Sequence, residues 1–277
     1  MRPDVRLVVT DLDGTLLTTR KTVSAVSVSA LSDARAAGLQ LAVASARPYR
    51  LVQDVLPAPV LALFDAVIVS NGAAVIRPLD DSVLHESTLR RAASAFSIET
   101  LRATWPTAGF GWESGTEFSS DDVLLRLAGA GTILRDPHPD RVLPLPAGPV
   151  HQLVMAVPGA APRSLLASTA AILGPEYTVT DSLGGVVEIS PAGVSKASAA
   201  DWWARSTGAT LADVVAFGDE HNDLPLLRAA GIGVAMANAR DEVRAAAAST
   251  TLTNDQDGVA VALRALLSGH RSVEKDA

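Results

Sequence analysis

The 277-residue sequence predicts a doubly wound, Rossmann-like α/β core built on a parallel sheet, with a second α/β domain inserted into the chain. Short apolar runs rich in β-branched residues alternate with alanine-rich segments of helical length. Each run ends abruptly in polar residues, as fully buried parallel strands do. The pattern stops near Leu89 and resumes near Pro191, which marks the insertion.

Leu7–Val9 reads as the first strand and ends in Thr10-Asp11. Ser24–Ala37 reads as a helix closed by Gly38, since glycine takes the left-handed conformation that ends many helices. Leu39–Val43 and Ala66–Val69 are further strands, ending in Ser45 and in Ser70-Asn71. A strand, helix, strand order implies parallel pairing. Residues 89–190 differ in character. They hold Trp105 and Trp112, strand candidates Leu153–Val157 and Val186–Ile189, and a connection over Ala128–Val150 that is punctuated by prolines and glycines. Gly109-Phe110-Gly111 reads as a turn. The first pattern returns with helix Ser195–Ser206, strand Val214–Phe217, short helix Leu224–Ala230 and strand Ile232–Ala235. The predicted core is therefore 1–88 with 191–277, and the insertion is 89–190.

Composition removes several functions. With 23 basic against 30 acidic residues the net charge is -7, and no cluster of Lys and Arg offers a footprint for nucleic acid or an anionic membrane. There is no cysteine, which excludes disulfides, thiolate zinc sites and cysteine nucleophiles and fits a reducing, cytoplasmic location. Asp65 interrupts the longest apolar stretch, Val60–Val69, so no membrane span is predicted, and the first residues lack a signal-peptide core.

In open parallel sheets ligands bind beyond the carboxyl ends of the strands, where Asp11, Ser45, Asn71 and Asp219 fall. Asp11-Leu12-Asp13-Gly14-Thr15-Leu16 sets two carboxylates two positions apart at a strand end. Alone it also fits a hairpin turn, because Asp-Gly between apolar runs is a strong turn signal. Gly218-Asp219-Glu220-His221-Asn222-Asp223 repeats the arrangement after another strand. Two acidic strand ends suggest a shared hard cation, and magnesium prefers such oxygen ligands. Asp223 also suits a helix N-cap before Leu224 and Pro225. Lys196 is one of only three lysines and follows Gly193-Val194-Ser195 at a helix start, so a surface role is disfavoured. Trp202-Trp203 reads as core packing, and His221 is expected near solvent.

Asp11 to Thr15, Ser45, Lys196 and Gly218 to Asp223 resemble the four ordered motifs of haloacid dehalogenase-like hydrolases. Val186-Val187-Glu188-Ile189, Gly193-Val194-Ser195-Lys196 and Asn254-Asp255-Gln256-Asp257-Gly258-Val259 resemble the Cof-type branch, subfamily IIB, whose large C2-type α/β cap is inserted after the third core strand. The similarity spans about Met1–Glu86 and Pro191–Leu267 and is weak through the cap.

The resemblance implies a magnesium-dependent phosphatase acting through an aspartyl phosphate on small phosphorylated metabolites such as sugar phosphates. Asp11 would be the nucleophile and Asp13 the general acid and base, with Ser45 and Lys196 stabilising the transferring group. Mg2+ would be held by Asp11, the backbone carbonyl of Asp13, Asp219 and Asp223. Arg47, Asn71 and Asn222 would contact substrate, and the cap, with Trp112, Glu113 and His138 as candidate contacts, would close over the site and select substrates. The implied partner is a small phosphate ester handled by a monomer or homodimer. The alternatives are a phosphomutase on the same core and a non-catalytic module of this fold. One motif departs from the family, with Ser45-Ala46-Arg47 where Thr-Gly-Arg is usual. A positive φ at Ala46 would cost strain on the order of 1 kcal/mol, and an ordinary φ almost nothing.

Overall fold

The computed structural model describes residues 5–129, 139–180 and 186–271. The chain divides into two compact units, Met1–Leu84 with Ser195–Ala277, and His85–Val194. The first unit opens with β1 (Leu7–Thr10), α1 (Ala25–Ala36), β2 (Gln40–Ala44), α2 (Tyr49–Val55), α3 (Ala58–Leu61), β3 (Ala66–Val69) and β4 (Ala74–Arg77), and β5 (Ser82–Glu86) leads out of it. The second comprises α4 (Arg91–Thr104), β6 (Gly109–Ser114), β7 (Glu117–Ser120), α5 (Asp122–Gly129), β8 (Arg141–Val142), β9 (Gln152–Ala156), α6 (Pro162–Leu173), β10 (Tyr177–Thr180) and β11 (Val186–Pro191). The first unit then resumes with α7 (Lys196–Ser206), β12 (Val214–Gly218), α8 (Leu224–Ala229), β13 (Ile232–Ala235), α9 (Asp241–Ala246), β14 (Ser249–Thr250) and α10 (Gly258–Arg271).

Every residue of β1, β3 and β12 is buried, as expected of strands covered on both faces. They lie in an eight-stranded sheet of order β14-β13-β12-β1-β2-β3-β4-β5. Pairing is parallel from β14 through β3, and β4 runs antiparallel to β3. Later strands extend the sheet on one side of β1 and earlier ones on the other, so strand order reverses at β1. The carboxyl ends of β12, β1, β2 and β3 stand side by side, and Asp219, Asp11, Ser45 and Asn71 follow them.

Caps fix the helices that flank these ends. Ser24 Oγ accepts the Ser27 N–H at 3.0 Å and starts α1. Gly38 N–H donates to Arg35 O at 2.9 Å and Leu39 N–H to Ala34 O at 3.1 Å, the paired bonds of a Schellman end. Ser195 and Ser198 exchange side-chain and backbone bonds at 3.1 and 3.0 Å, a capping box that sets Lys196 at the first position of α7. Trp203 is buried in the core and Trp202 packs partly against it.

After β3 the backbone turns left-handed at three successive residues, with φ of 48° at Ser70, 57° at Asn71 and 105° at Gly72. The Ser70 and Asn71 amides donate to Arg47 O and Ser45 O, each at 3.0 Å, which ties this turn to the loop after β2. Gly72 lies against the start of α7, where an added Cβ would be 2.1 Å from Ser195 O. Ala46 is not among the non-glycine residues with positive φ, so its methyl group sits in this loop without backbone strain.

The second unit is a six-stranded sheet of order β10-β11-β9-β6-β7-β8, antiparallel except for the β7–β8 pair. On one face Phe110, Trp112, Leu153, Met155, Val187 and Ile189 form a core with Ile98 and Leu101 of α4 and Leu165 of α6. On the other, Phe118, Val154, Ala156 and Val186 pack with Leu124 of α5. Two expectations are corrected here. Gly109-Phe110-Gly111 is part of β6 rather than a turn, because it pairs with Val154–Ala156 of β9, and glycine suits position 109 because α5 packs so closely that a Cβ there would be 2.5 Å from Leu124 N. Trp112 is a core residue of this unit, 2% exposed, rather than a ligand contact. Glu113 is buried as well. His138 lies outside the described residues, as does much of the expected Ala128–Val150 connection. Among the described residues no helix is long and apolar enough to cross a membrane.

Gly72→Ala is expected to lower stability by about 2–4 kcal/mol, combining a strained φ with a clash against backbone, whereas Gly38→Ala, with open space at its Cβ, should cost only about 1 kcal/mol. Urea unfolding midpoints of the two variants check the difference.

Candidate active site

Among the described residues Lys196 is the largest charged side chain that is fully buried, 1% exposed. Its Nζ donates to Asp11 Oδ1 and to Asp223 Oδ1, each at 2.6 Å. Asp219 completes the cluster: one carboxylate oxygen each from Asp11, Asp219 and Asp223 lie within 4.8 Å of one another. All three aspartates are buried.

Charge dominates this arrangement, because three carboxylates face one ammonium in a poorly solvated space. Burial, reinforced by the neighbouring Asp223 and Asp219 carboxylates, pushes Asp11 well above the ordinary carboxylate range. Asp219 is raised to about 7 by burial and by Asp223. Burial alone would disfavour the Lys196 ammonium, but the Asp11 and Asp223 carboxylates outweigh it and hold its pKa above the usual lysine value.

Hydrogen bonds orient the carboxylates. Thr15 Oγ1 donates to Asp219 Oδ1 at 2.8 Å. Gly14 leaves room for the same carboxylate: with φ of 80°, a Cβ there would be 2.2 Å from Asp219 Oδ2. Asp223 stands at the start of α8, but its side chain makes no capping bond to that helix. Its Oδ2 instead accepts the Asp219 and Glu220 N–H groups, each at 3.0 Å, while its Oδ1 serves Lys196. The N-cap expectation is corrected, since the left-over carboxylate capacity is used to close the β12 loop.

Asp13 faces a different environment. Arg47 Nε donates to its Oδ2 at 2.6 Å and Nη2 to its Oδ1 at 2.8 Å, a two-pronged ion pair, and Lys21 Nζ donates to Oδ1 at 2.6 Å. Burial would raise the Asp13 pKa, but bonds from Arg47 and Lys21 outweigh it and hold the carboxyl below its ordinary value. The Asp13 carboxylate is thus outside the three-carboxylate group.

Of the other sequence-derived candidates, Ser45 is buried, with its Oγ accepting the Arg47 N–H at 3.1 Å. Asn222 Nδ2 donates to Asn71 Oδ1 at 3.0 Å, linking the loops after β12 and β3. His221 is exposed and pairs with Glu242 at 2.5 Å. Sequence reasoning gave no role to Thr15 or Lys21. Thr15 carried a signal, a hydroxyl beside Gly14 in the acidic motif, whereas Lys21 carried none beyond its rarity.

The residues fit a hard divalent cation. The donor set is all oxygen, it carries excess negative charge after Lys196 is counted, and the raised pKa of Asp219 reports a carboxylate short of positive partners.

The haloacid dehalogenase-like hydrolase family matches residues 8–110 and 144–263. Pyridoxal phosphate phosphatase YbhA of Escherichia coli is 29% identical over 271 residues, covering 92% of this chain and 96% of that protein. The 5-amino-6-(5-phospho-D-ribitylamino)uracil phosphatase YitU of Bacillus subtilis is 28% identical over 272 residues, covering 95% of this chain and 97% of its own. The solved structure of BT4131, a sugar phosphatase of subclass IIB, shares the fold with a TM-score of 0.77 at 22% identity, over 95% of this chain and 99% of that one. The buried lysine among strand-end aspartates therefore sits in a chain that belongs to the haloacid dehalogenase-like hydrolases and is a phosphatase of their Cof-type branch.

Proposed function

We propose that this phosphatase is magnesium-dependent and hydrolyses small phosphorylated metabolites, such as sugar phosphates, through an aspartyl phosphate on Asp11. The observation that carries the reading is Lys196 bonded at 2.6 Å to Asp11 within a group of three carboxylates close enough to share one ion. Asp11, Asp219 and Asp223, with the backbone carbonyl of Asp13, would hold Mg2+, which supplies charge neutralisation at the phosphate oxygens when bound.

Asp13 takes up a proton as substrate binds, against the pull of Arg47 and Lys21, and when Asp11 attacks phosphorus and the ester P–O bond breaks the leaving oxygen takes that proton. Water then attacks the aspartyl phosphate while Asp13 takes its proton, regenerating Asp11. Lys196 opposes the rise that burial imposes on Asp11, favouring its ionised, nucleophilic form, and offsets the charge gathering around it. Ser45, Asn71 and Asn222 bind phosphoryl oxygens, and Arg47 orients Asp13 beside them. The unit His85–Val194 acts as the cap that selects substrate. The substrate class draws support from the relatives, whose names specify phosphorylated small molecules.

A magnesium-dependent phosphatase screen over phosphorylated metabolites tests the proposal. Asp11→Asn is expected to lower kcat by about 10⁴-fold and Asp13→Asn by about 10²-fold or more. Turnover that survives Asp11→Asn removes the covalent route.

Cation binding has a separate readout in thermal unfolding. With its folded pKa raised to about 7, Asp219 in the metal-free protein contributes stability that is complete below the unfolded carboxylate value of about 3.9 and lost as pH rises through about 7. Magnesium reverses that loss, so at 100 times its Kd it should stabilise the protein by about 2.7 kcal/mol. Below about pH 7 the proton on Asp219 competes, and affinity should fall by up to about tenfold per pH unit. The melting shift is thus expected to be large at pH 7.5, small at pH 5.5 and absent in Asp219→Asn.

A further inference from the structure

Lys21 has a backbone φ of 60°, a left-handed conformation that lysine seldom adopts. Its Nζ nevertheless reaches Asp13 Oδ1 at 2.6 Å. A half-exposed ion pair of this kind is ordinarily a weak surface contact. What sets this one apart is the bonding that holds the loop carrying it. Asn254 Nδ2 donates to Leu17 O at 2.8 Å. Asp255 accepts from Thr19, with the N–H at 2.8 Å on Oδ1 and the hydroxyl at 3.0 Å on Oδ2. Asp257, itself left-handed at φ 57°, accepts from the Ser24 hydroxyl. Asn238 Oδ1 accepts the Asn254 N–H at 3.0 Å, and its Nδ2 donates to Gly14 O at 2.7 Å. The Asn254-Asp255-Gln256-Asp257 segment therefore grips the chain at Leu17, Thr19 and Ser24, and through Asn238 at Gly14, on both sides of Lys21. Strain of this sort persists only where surroundings over-determine it.

We propose that residues 254–257 form a clamp that presents Lys21 to the Asp13 carboxylate, making Lys21 a positioning residue for proton transfer to the leaving oxygen. Arg47 fixes the plane of the carboxylate through one bond to each oxygen, and Lys21 adds a second bond to Oδ1 from the loop side, which leaves Oδ2 the less occupied oxygen. This rests on the reading of Asp13 as the acid–base group. The step concerned is the one in which the ester P–O bond breaks and the departing oxygen takes the Asp13 proton, so the effect scales with how much that oxygen needs a proton.

Phenyl phosphate and 4-nitrophenyl phosphate separate the outcomes, because phenolate is the poorer leaving group. The measured quantity is kcat/KM, which reports the first half-reaction. Lys21→Met is expected to lower it about tenfold for phenyl phosphate and less than about threefold for 4-nitrophenyl phosphate, with Lys21→Arg restoring most of the loss. Asp255→Ala should reproduce that bias, and Thr19→Val, a milder change to the same contact, should show it in part if Asp255→Ala fails to fold. Equal losses on both esters, or no loss, overturn the proposal. Asp13→Asn separates the layers: if it shows the leaving-group bias and Lys21→Met does not, only the clamp fails, whereas its showing no bias removes the acid–base reading and the clamp with it.

Discussion

One ammonium buried among three carboxylates is the constraint from which the rest of the first unit follows. Lys196 satisfies Asp11 and Asp223 but leaves the group short of positive charge, and burial makes that shortage expensive. The raised pKa values of Asp11 and Asp219 are its signature. A group like this is stable only where backbone donors and hydroxyls satisfy the remaining oxygens. The Asp219 and Glu220 amides on Asp223 and the Thr15 hydroxyl on Asp219 meet that need.

The sheet supplies the burial. Strands with apolar residues on both faces end together at β12, β1, β2 and β3, and the loops that follow are bonded to one another rather than left to solvent. The left-handed run Ser70-Asn71-Gly72 shows how closely they are knit: its amides bind the carbonyls of Ser45 and Arg47, and its glycine lies against the first residues of α7. Placement of Lys196 thus depends on a turn more than a hundred residues earlier in the chain.

Asp11 and Asp13 differ by two positions and occupy opposite electrostatic settings. Asp11 is pushed up by burial, reinforced by the carboxylates around it, whereas Asp13 is pushed down by its bonds from Arg47 and Lys21. Environment assigns different work to chemically identical groups. In the second unit, burial likewise decided between roles: Trp112 became core once β6 paired with β9, although its aromatic character suited a binding role equally well.

The strands, the major helices of the core and the acidic motifs at the strand ends were legible in the sequence. Hydrophobic period and abrupt polar termination are local signals, whereas the order of the eight strands, with β4 antiparallel to β3, was set by the tertiary pairing. The close match of β1, β3, β12 and β13 to the apolar runs reflects those local signals. Tertiary structure alone decided what depended on distant contacts. Asp223 turned from a helix cap to a bridge between Lys196 and the β12 loop, and Gly109-Phe110-Gly111 became strand by pairing with β9. Ala46 proved unstrained because its φ is not positive. Lys21 acquired its place through side chains more than two hundred residues away. Local pattern carries the strength of a strand or helix, but the field at a carboxylate is set by neighbours that only folding brings near.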